Sequence, residues 1–295
     1  MPDVARHPSW SRLRPGAPVL LRDAGLLQVG LDPPSLALLA DTPAVRALLA
    51  RLRTGCPEPA LGPGADPDQV TAWQRLHQAL LLVPDPGGET GASGPGTFTA
   101  TAAWAGPRAA ERLAARSSTL VRVVGPAALV EPVTRLGVIG GLRIDAADGS
   151  PQGDEPGLVV VLHEGEARRR QHDDLQAAGL PHLPVWWRGG LPHVGPLVVP
   201  GVTACLRCLD AQESEADPRR PLLVEQAGRE PAPPHDPVLL ALAVAWTVRE
   251  AQRWAEGATP TSWSATVRLG PDGPPEVTRW ARHPYCGCAW DAPAA

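Results

Sequence analysis

Four cysteines have the types and spacing most able to do chemistry. Cys205 and Cys208 form a CxxC in GVTACLRCLD, and Cys286 and Cys288 form a CxC in HPYCGCAW. Two short pairs, far apart in the chain, read as the halves of one tetrahedral thiolate site. Zn²⁺ is the expected metal, in a structural role, because it favours closed four-coordinate sulfur sites. A disulfide and a thiol redox centre are the alternatives. The opening MPDVARHPSWSRLRPG has no apolar core of a secretion signal, so a cytoplasmic location is expected. In a reducing cytoplasm paired cysteines serve metals or redox chemistry more often than staples. A thioredoxin-like CxxC would open a helix in its own small fold and would leave the second pair unexplained. CxC is less usual than CxxC, which makes His283 a candidate substitute ligand. Cys56, in TGCPEP, stands alone as a loop thiol.

A second candidate lies at the strand-turn-helix of residues 119–136. A nucleotide-binding turn reads GxGxxG, its glycines admitting phosphates to the helix N-terminus, with an acidic residue ending the next strand. Here the turn is Gly125-Pro126-Ala127-Ala128-Leu129-Val130, and Asp145 is placed to hold a ribose. Only the first glycine is present, Pro126 lacks an N–H, and Leu129 and Val130 bring bulk. All 27 basic residues are arginine, and asparagine is absent as well. No lysine is available as a Schiff base or as a point charge on phosphate. Gly125 and Asp145 are therefore the remnants of a degenerate nucleotide site, and ATP is not an expected cofactor.

These residues need elements to position them. PVLLRD (18–23) and LLQVGL (26–31) read as a hairpin, and SLALLA (35–40) as a third strand or a helix start. Asp41 or Thr42 caps a helix with Pro43 inside it, and a second helix covers about 68–82. A small sheet followed by helices fits a winged-helix-like module over 1–83. Residues 84–106 begin with PDPGGETGASGPGT and read as a linker. From 107 onward a helix (about 107–116) precedes TLVRVVG, a helix from about 127 to 136, GLRIDA, GLVVVLHE, a polar helix at 165–178, and strands in HLPVWWRGG and VGPLVVPG. This alternation indicates an α/β domain with a largely parallel sheet over 107–295. Arg168-Arg169-Arg170 reads as a solvated helix face balanced by Asp173 and Asp174. Residues 216–228 read as a mobile crossover. A helix capped by Asp236 then runs to about 256, and SWSATVRL and PEVTRWA form a closing hairpin. Apolar nearly all round, the ALAVAW stretch of that helix suits core or a homodimer interface.

Length and composition bound the rest. At 295 residues the chain suits two domains or one large one, and 43% hydrophobic residues permit a substantial core. A net charge of −4 does not suggest a nucleic-acid partner. No apolar run reaches the roughly 18 residues of a membrane helix, so no membrane is expected.

The order of motifs resembles the ThiF-like superfamily of ubiquitin-activating-type adenylyltransferases, over roughly residues 107–290. The stretches that carry it are the Gly turn, RID, VVVLHE, GLPHLPV, VGPLVVPGVTACLRCLD and HPYCGC. VGPLVVPGVTACLRCLD with the late HPYCGC resembles the actinobacterial ThiF-like proteins of ribosomal-peptide biosynthesis. That group binds a precursor leader peptide, partners a YcaO-type cyclodehydratase and places a small winged-helix-like peptide-recognition domain first. The resemblance implies a Rossmann-type parallel sheet, zinc on Cys205, Cys208, Cys286 and Cys288, and a ribose-binding role for Asp145. It also implies asparagine and lysine about the triphosphate, which this chain lacks. Its magnesium-binding Asp is replaced by His163-Glu164, Glu164 being the one candidate ligand left, and its thioester cysteine has no counterpart. The expectation is a non-catalytic, leader-binding partner protein whose N-terminal sheet takes up the leader as an added strand. The strand at 26–31 or 35–40 faces the peptide, and the helix at 68–82 walls the groove. The alternatives are an active adenylyltransferase and a zinc-stabilised interaction protein outside peptide modification.

Overall fold

The computed structural model describes residues 10–59, 64–85, 94–146 and 154–288. The chain divides into two compact units, residues 1–114 and 115–295.

In the first unit β1 (Trp10–Leu13) pairs antiparallel with β5 (Cys56–Pro57) and β6 (Leu82–Pro84). A second sheet runs β2 (Val19–Asp23), β3 (Leu26–Val29), β4 (Ala37–Ala40), all antiparallel. The first hairpin is therefore as expected, and residues 37–40 form its third strand. α1 (Pro43–Thr54) starts at Thr42, whose hydroxyl accepts from the Val45 N–H, and Pro43 costs nothing at the first helical position. α2 (Pro67–Gln78) is capped by Asp66 and ends earlier than the apolar pattern suggests. Leu80 turns left-handed (φ +56°), and the Leu81 N–H returns to Leu76 O at 2.9 Å, a C-terminal cap that releases Leu81 and Leu82 into the next strand. Leu27, Val29, Leu39, Leu48, Leu52, Trp73 and Leu76 fill the core of this unit.

The stretch expected to be a linker contains α3 (Gly94–Ala105), while residues 86–93 of it lie outside the described residues. α3 forms because Phe98 and Ala102 bury against Val83, Ala109 and Leu113. Apolar packing here outweighs the Gly and Pro content. α4 (Ala109–Ser118) follows, and the division between the units falls within it.

The second unit is a seven-stranded sheet in the order β13-β12-β11-β10-β9-β7-β8. β7 (Leu120–Val124), β8 (Arg143–Asp145), β9 (Leu158–Leu162) and β10 (His182–Arg188) are mutually parallel. β11 (Leu191–Val194), β12 (Ala265–Arg268) and β13 (Glu276–Arg279) extend it antiparallel. The sheet is thus mixed, where a largely parallel one was expected. The cause is Gly189-Gly190, both at positive φ, which makes a two-residue hairpin turn and folds β11 back on β10. β9 is buried along its whole length, with LVVVL covered on both faces. α5 (Ala127–Ile139) follows β7, and α6 (Arg169–Ala177) joins β9 to β10. α7 (Leu206–Ala216) carries the CxxC, and α8 (Arg220–Ala227) occupies the region expected to be a mobile crossover; Val224 anchors α8 by burial. α9 (Pro237–Ala255) is capped by Asp236, which accepts from the Val238 and Leu239 N–H groups at 2.9 Å, and packs on α5 and the sheet.

Candidate metal centre and nucleotide-type cleft

The four cysteines converge. Cys205 is the N-cap residue of α7, which places Cys208 in the first turn of that helix. The preceding loop is fixed by Thr203, whose hydroxyl donates to Leu197 O and accepts from the Val199 N–H. The opposite strand brings Trp280, whose indole donates to Thr266 Oγ1 and whose ring packs against the cysteines. Gln212 on α7 donates to Ala281 O at 2.7 Å, and Gln176 on α6 donates to Cys288 O at 3.3 Å, so the late CxC is held by two helices.

All four sulfurs lie within 4.8 Å of one another. The resolved separations are 3.8 Å (205–208), 3.7 Å (205–286), 3.3 Å (208–286) and 3.6 Å (208–288). A metal about 2.3 Å from four tetrahedral sulfurs sets them about 3.8 Å apart, so the cage fits Zn²⁺. A disulfide needs sulfurs about 2.05 Å apart, and all five cysteines are free. Cys208 is the natural first thiolate. The Cys205 thiol and the His283 N–H donate to it, and its pKa falls to about 4. Cys205 is pushed the other way by its hydrogen bond to Cys208 and by burial, and burial lifts Cys286 to about 12. Four crowded thiols that cannot all ionise alone would do so around a divalent cation. His283 is not a ligand here: its Nε2 faces Glu215 at 3.5 Å. Cys56, expected in a loop, lies in β5, buried in the core of the first unit, and is not one of the four grouped cysteines.

The second candidate lies at a cleft of the sheet. Gly125, Pro126, Leu162, His163, Glu164 and Arg168 line a cleft of about 330 Å³ at the carboxyl ends of β7 and β9, where open α/β sheets bind ligands. Gly125 has φ +145°, and a Cβ there would meet Leu162 O at 2.5 Å and Leu162 Cβ at 2.8 Å. Strand packing thus accounts for this glycine without a phosphate. Pro126 is the N-cap of α5 and offers no side-chain cap. Asp145 is engaged by Arg122, at 3.0 Å from Nε and 2.9 Å from the terminal nitrogen. Gly125 and Asp145 therefore both have structural partners.

Two features of this unit were not legible in the sequence. Arg169, expected on a solvated face, is 2% exposed and makes a two-pronged pair with Asp210 at 2.8 Å and a further pair with Glu166 at 3.1 Å. The network continues through Arg188 and Glu213 to Arg220, tying α6, β10, α7 and α8. Burial alone would raise the Glu213 carboxyl, but the hydrogen bond from Arg220 and the charge of Arg188 hold it below its ordinary value. Asp173, expected to balance the run, pairs with Arg207 instead. The second feature is a buried histidine group. His163 and His172 share an Nε2–Nε2 hydrogen bond at 2.9 Å, and the ring of His182 lies 5.3 Å from that of His172. Burial keeps His163 at about 4 and holds His172 well below its ordinary value. A charge run and scattered histidines carry no signal of burial, so only the fold reveals them.

No protein-family model matches this sequence, and no curated protein sequence matches it. Solved structures do match. A heterocyclase in complex with substrate and cofactor aligns at TM-score 0.67 and 16% identity, over 95% of this chain and 39% of that one. The heterocyclase TruD aligns at 0.67 and 16%, over 96% and 43%. The microcin C7 biosynthetic enzyme MccB, in complex with N-formylated MccA, aligns at 0.60 and 12%, over 95% and 99%. The chain shares the fold of these structures. The likeness spans both units, and the chain covers about two fifths of the length of the two heterocyclase chains. No described helix is long and apolar enough to cross a membrane.

Proposed function

We propose that this chain is a leader-peptide-binding partner protein in ribosomal peptide natural product biosynthesis. It takes up the leader in its winged-helix-like N-terminal unit, presents the precursor to a separate YcaO-type cyclodehydratase and does not itself adenylate. It belongs, on this reading, with the actinobacterial ThiF-like proteins of such pathways, works in the cytoplasm as a homodimer and carries one structural Zn²⁺ on Cys205, Cys208, Cys286 and Cys288. Gly125 and Asp145 are what remains of an ancestral nucleotide site.

The observation that carries the reading is the coexistence, in one chain, of a small sheet with usable edges and a second unit whose cleft is built on Gly125 and Pro126 in place of a glycine-rich turn. The match to MccB, a structure holding N-formylated MccA, supports a peptide ligand. Pro126 removes one N–H from the turn and the chain has no lysine to set on a triphosphate, which weakens the electrostatic clamp that adenylation needs. The edge offered to the leader is β4. β3 is ruled out because it is the central strand, paired on both sides. The Asp41 N–H donates to Gly25 O, so alternation turns Leu39 toward β3 and Leu38 toward the edge. There Leu38 O accepts from Arg75 of α2 at 2.7 Å. A leader strand would take over that carbonyl from Arg75, with α2 as the groove wall.

The test uses the full chain and the fluorescein-labelled leader of the precursor encoded beside its gene. Saturable anisotropy with background ATP–pyrophosphate exchange is expected. Exchange well above background contradicts the non-adenylating part, and absent binding contradicts the peptide part.

A further inference from the structure

The same small sheet has a second edge, β2, which no other described strand pairs. The Gly30 N–H donates to Pro18 O, which fixes the β2–β3 alternation. Pro18 and Leu20 turn their backbone groups toward β3, and Val19 and Leu21 turn theirs outward. A register irregularity between Leu21 and Asp23 ends the regular pairing, so the usable edge is short. Leu21 lies opposite Leu27 and Val19 opposite Val29, on the face whose β3 residues are buried. Yet Leu21 is 68% exposed. Between this edge and α1 runs a groove of about 270 Å³, lined by Val19, Leu21, Leu27, Leu49, Arg46 and Arg53 among others.

Charge indicates what fits. α1 carries Arg46, Arg51 and Arg53 and no carboxylate. Arg46 pairs with Asp41 and Arg51 with Gln69, while among the described residues no ion pair or hydrogen bond engages Arg53. Arg46 and Arg53 are two turns apart, about 10 Å along the helix, and both line the groove. A strand crosses such a distance in three to four residues. Side chains at alternate positions share a face, so a strand added to β2 would present residues i, i+2 and i+4 to α1. The volume suits one large apolar side chain between two acidic ones.

We propose that the β2–α1 groove docks an extended acidic segment of a partner protein, of the pattern acidic-x-apolar-x-acidic, by strand addition. A second copy of this chain would set arginine against arginine. The leader has the β4 edge, on the other side of the sheet, so both ligands could be held at once.

The probe is fluorescein-labelled Thr-Glu-Thr-Leu-Thr-Glu-Thr, titrated by anisotropy into the full chain. Saturable binding is expected, weakened about tenfold or more by Arg53→Glu and by Leu21→Glu. Both positions are exposed, and circular dichroism would verify that the variants fold. The same peptide with lysine for glutamate should not bind, and Arg75→Met, at the other edge, should leave binding unchanged. No saturation by about 1 mM, or equal binding by the Arg53→Glu protein, overturns the proposal. Competition by the unlabelled leader would assign the groove to the precursor, and a dimer in sedimentation broken by Leu21→Glu would assign it to a second copy. Either result overturns the partner assignment.

Discussion

Cys208 and Arg169 illustrate how single side chains here depend on their partners. Cys208 sits at the N-terminus of α7 and collects thiol and backbone donors, which favour its thiolate form. Cys208→Ser should abolish the zinc found in the purified protein, expected at one per chain by mass spectrometry. A loss of about 3 kcal/mol would lower the melting temperature by roughly 6–12 °C. Wild-type protein without zinc would contradict the assignment. The buried histidines make a separate prediction. Burial holds His163 and His193 at about 4, against about 6.5 when unfolded. Between those values the unfolded chain binds more protons, so stability is complete above pH 6.5 and is lost as pH falls toward 4. Each histidine contributes about 1.4 kcal/mol per pH unit within that window. Urea midpoints at pH 7 and pH 5 should show the loss. His193→Phe, keeping the stack on Trp186 at 4.2 Å, should reduce the slope.

At the scale of elements, α6 and α7 are joined through the Arg169–Asp210 pair, and α7 carries the CxxC. Removing one member of a buried pair leaves an uncompensated charge, at about 3–5 kcal/mol. Arg169→Met alone should therefore be strongly destabilising, and adding Asp210→Leu should restore much of the loss, as read by chemical denaturation. Equal stability of the single variant and the wild type would show that the pair contributes nothing. The sequence indicated some of these elements directly. Ala24-Gly25 between two apolar runs marked the first hairpin, and Asp236-Pro237 marked the start of α9. It was silent where tertiary packing overrode composition. Gly- and Pro-rich residues 94–105 are helical because Phe98 finds a buried site. Residues 220–227 are helical where charge and proline suggested a mobile segment. Gly189-Gly190 was visible, but its antiparallel consequence depended on knowing that both flanking runs were strands of one sheet.

For the whole molecule, the cysteine spacing alone foretold a cage that the fold assembles from α7 and the segment after β13. The place of the cleft at β7 and β9 was legible from the Gly125 turn, and Pro126 and the absence of lysine carry the expectation that it is degenerate. The reason for retaining Gly125 was not legible, because it lies in the approach of Leu162. The division of labour proposed here puts rigidity in the cysteine-braced unit and recognition in the small sheet. A proline at Leu38 would remove an outward N–H from the β4 edge. Leu38→Pro should weaken leader binding tenfold or more while leaving zinc content unchanged; a parallel loss of zinc would contradict that separation.

The most direct measurement is the anisotropy titration of the labelled leader, from the precursor encoded beside this gene, into the full zinc-containing chain. The account predicts saturable binding at micromolar concentration or tighter, reduced by Leu38→Pro. A flat titration with the folded, zinc-loaded protein would contradict it.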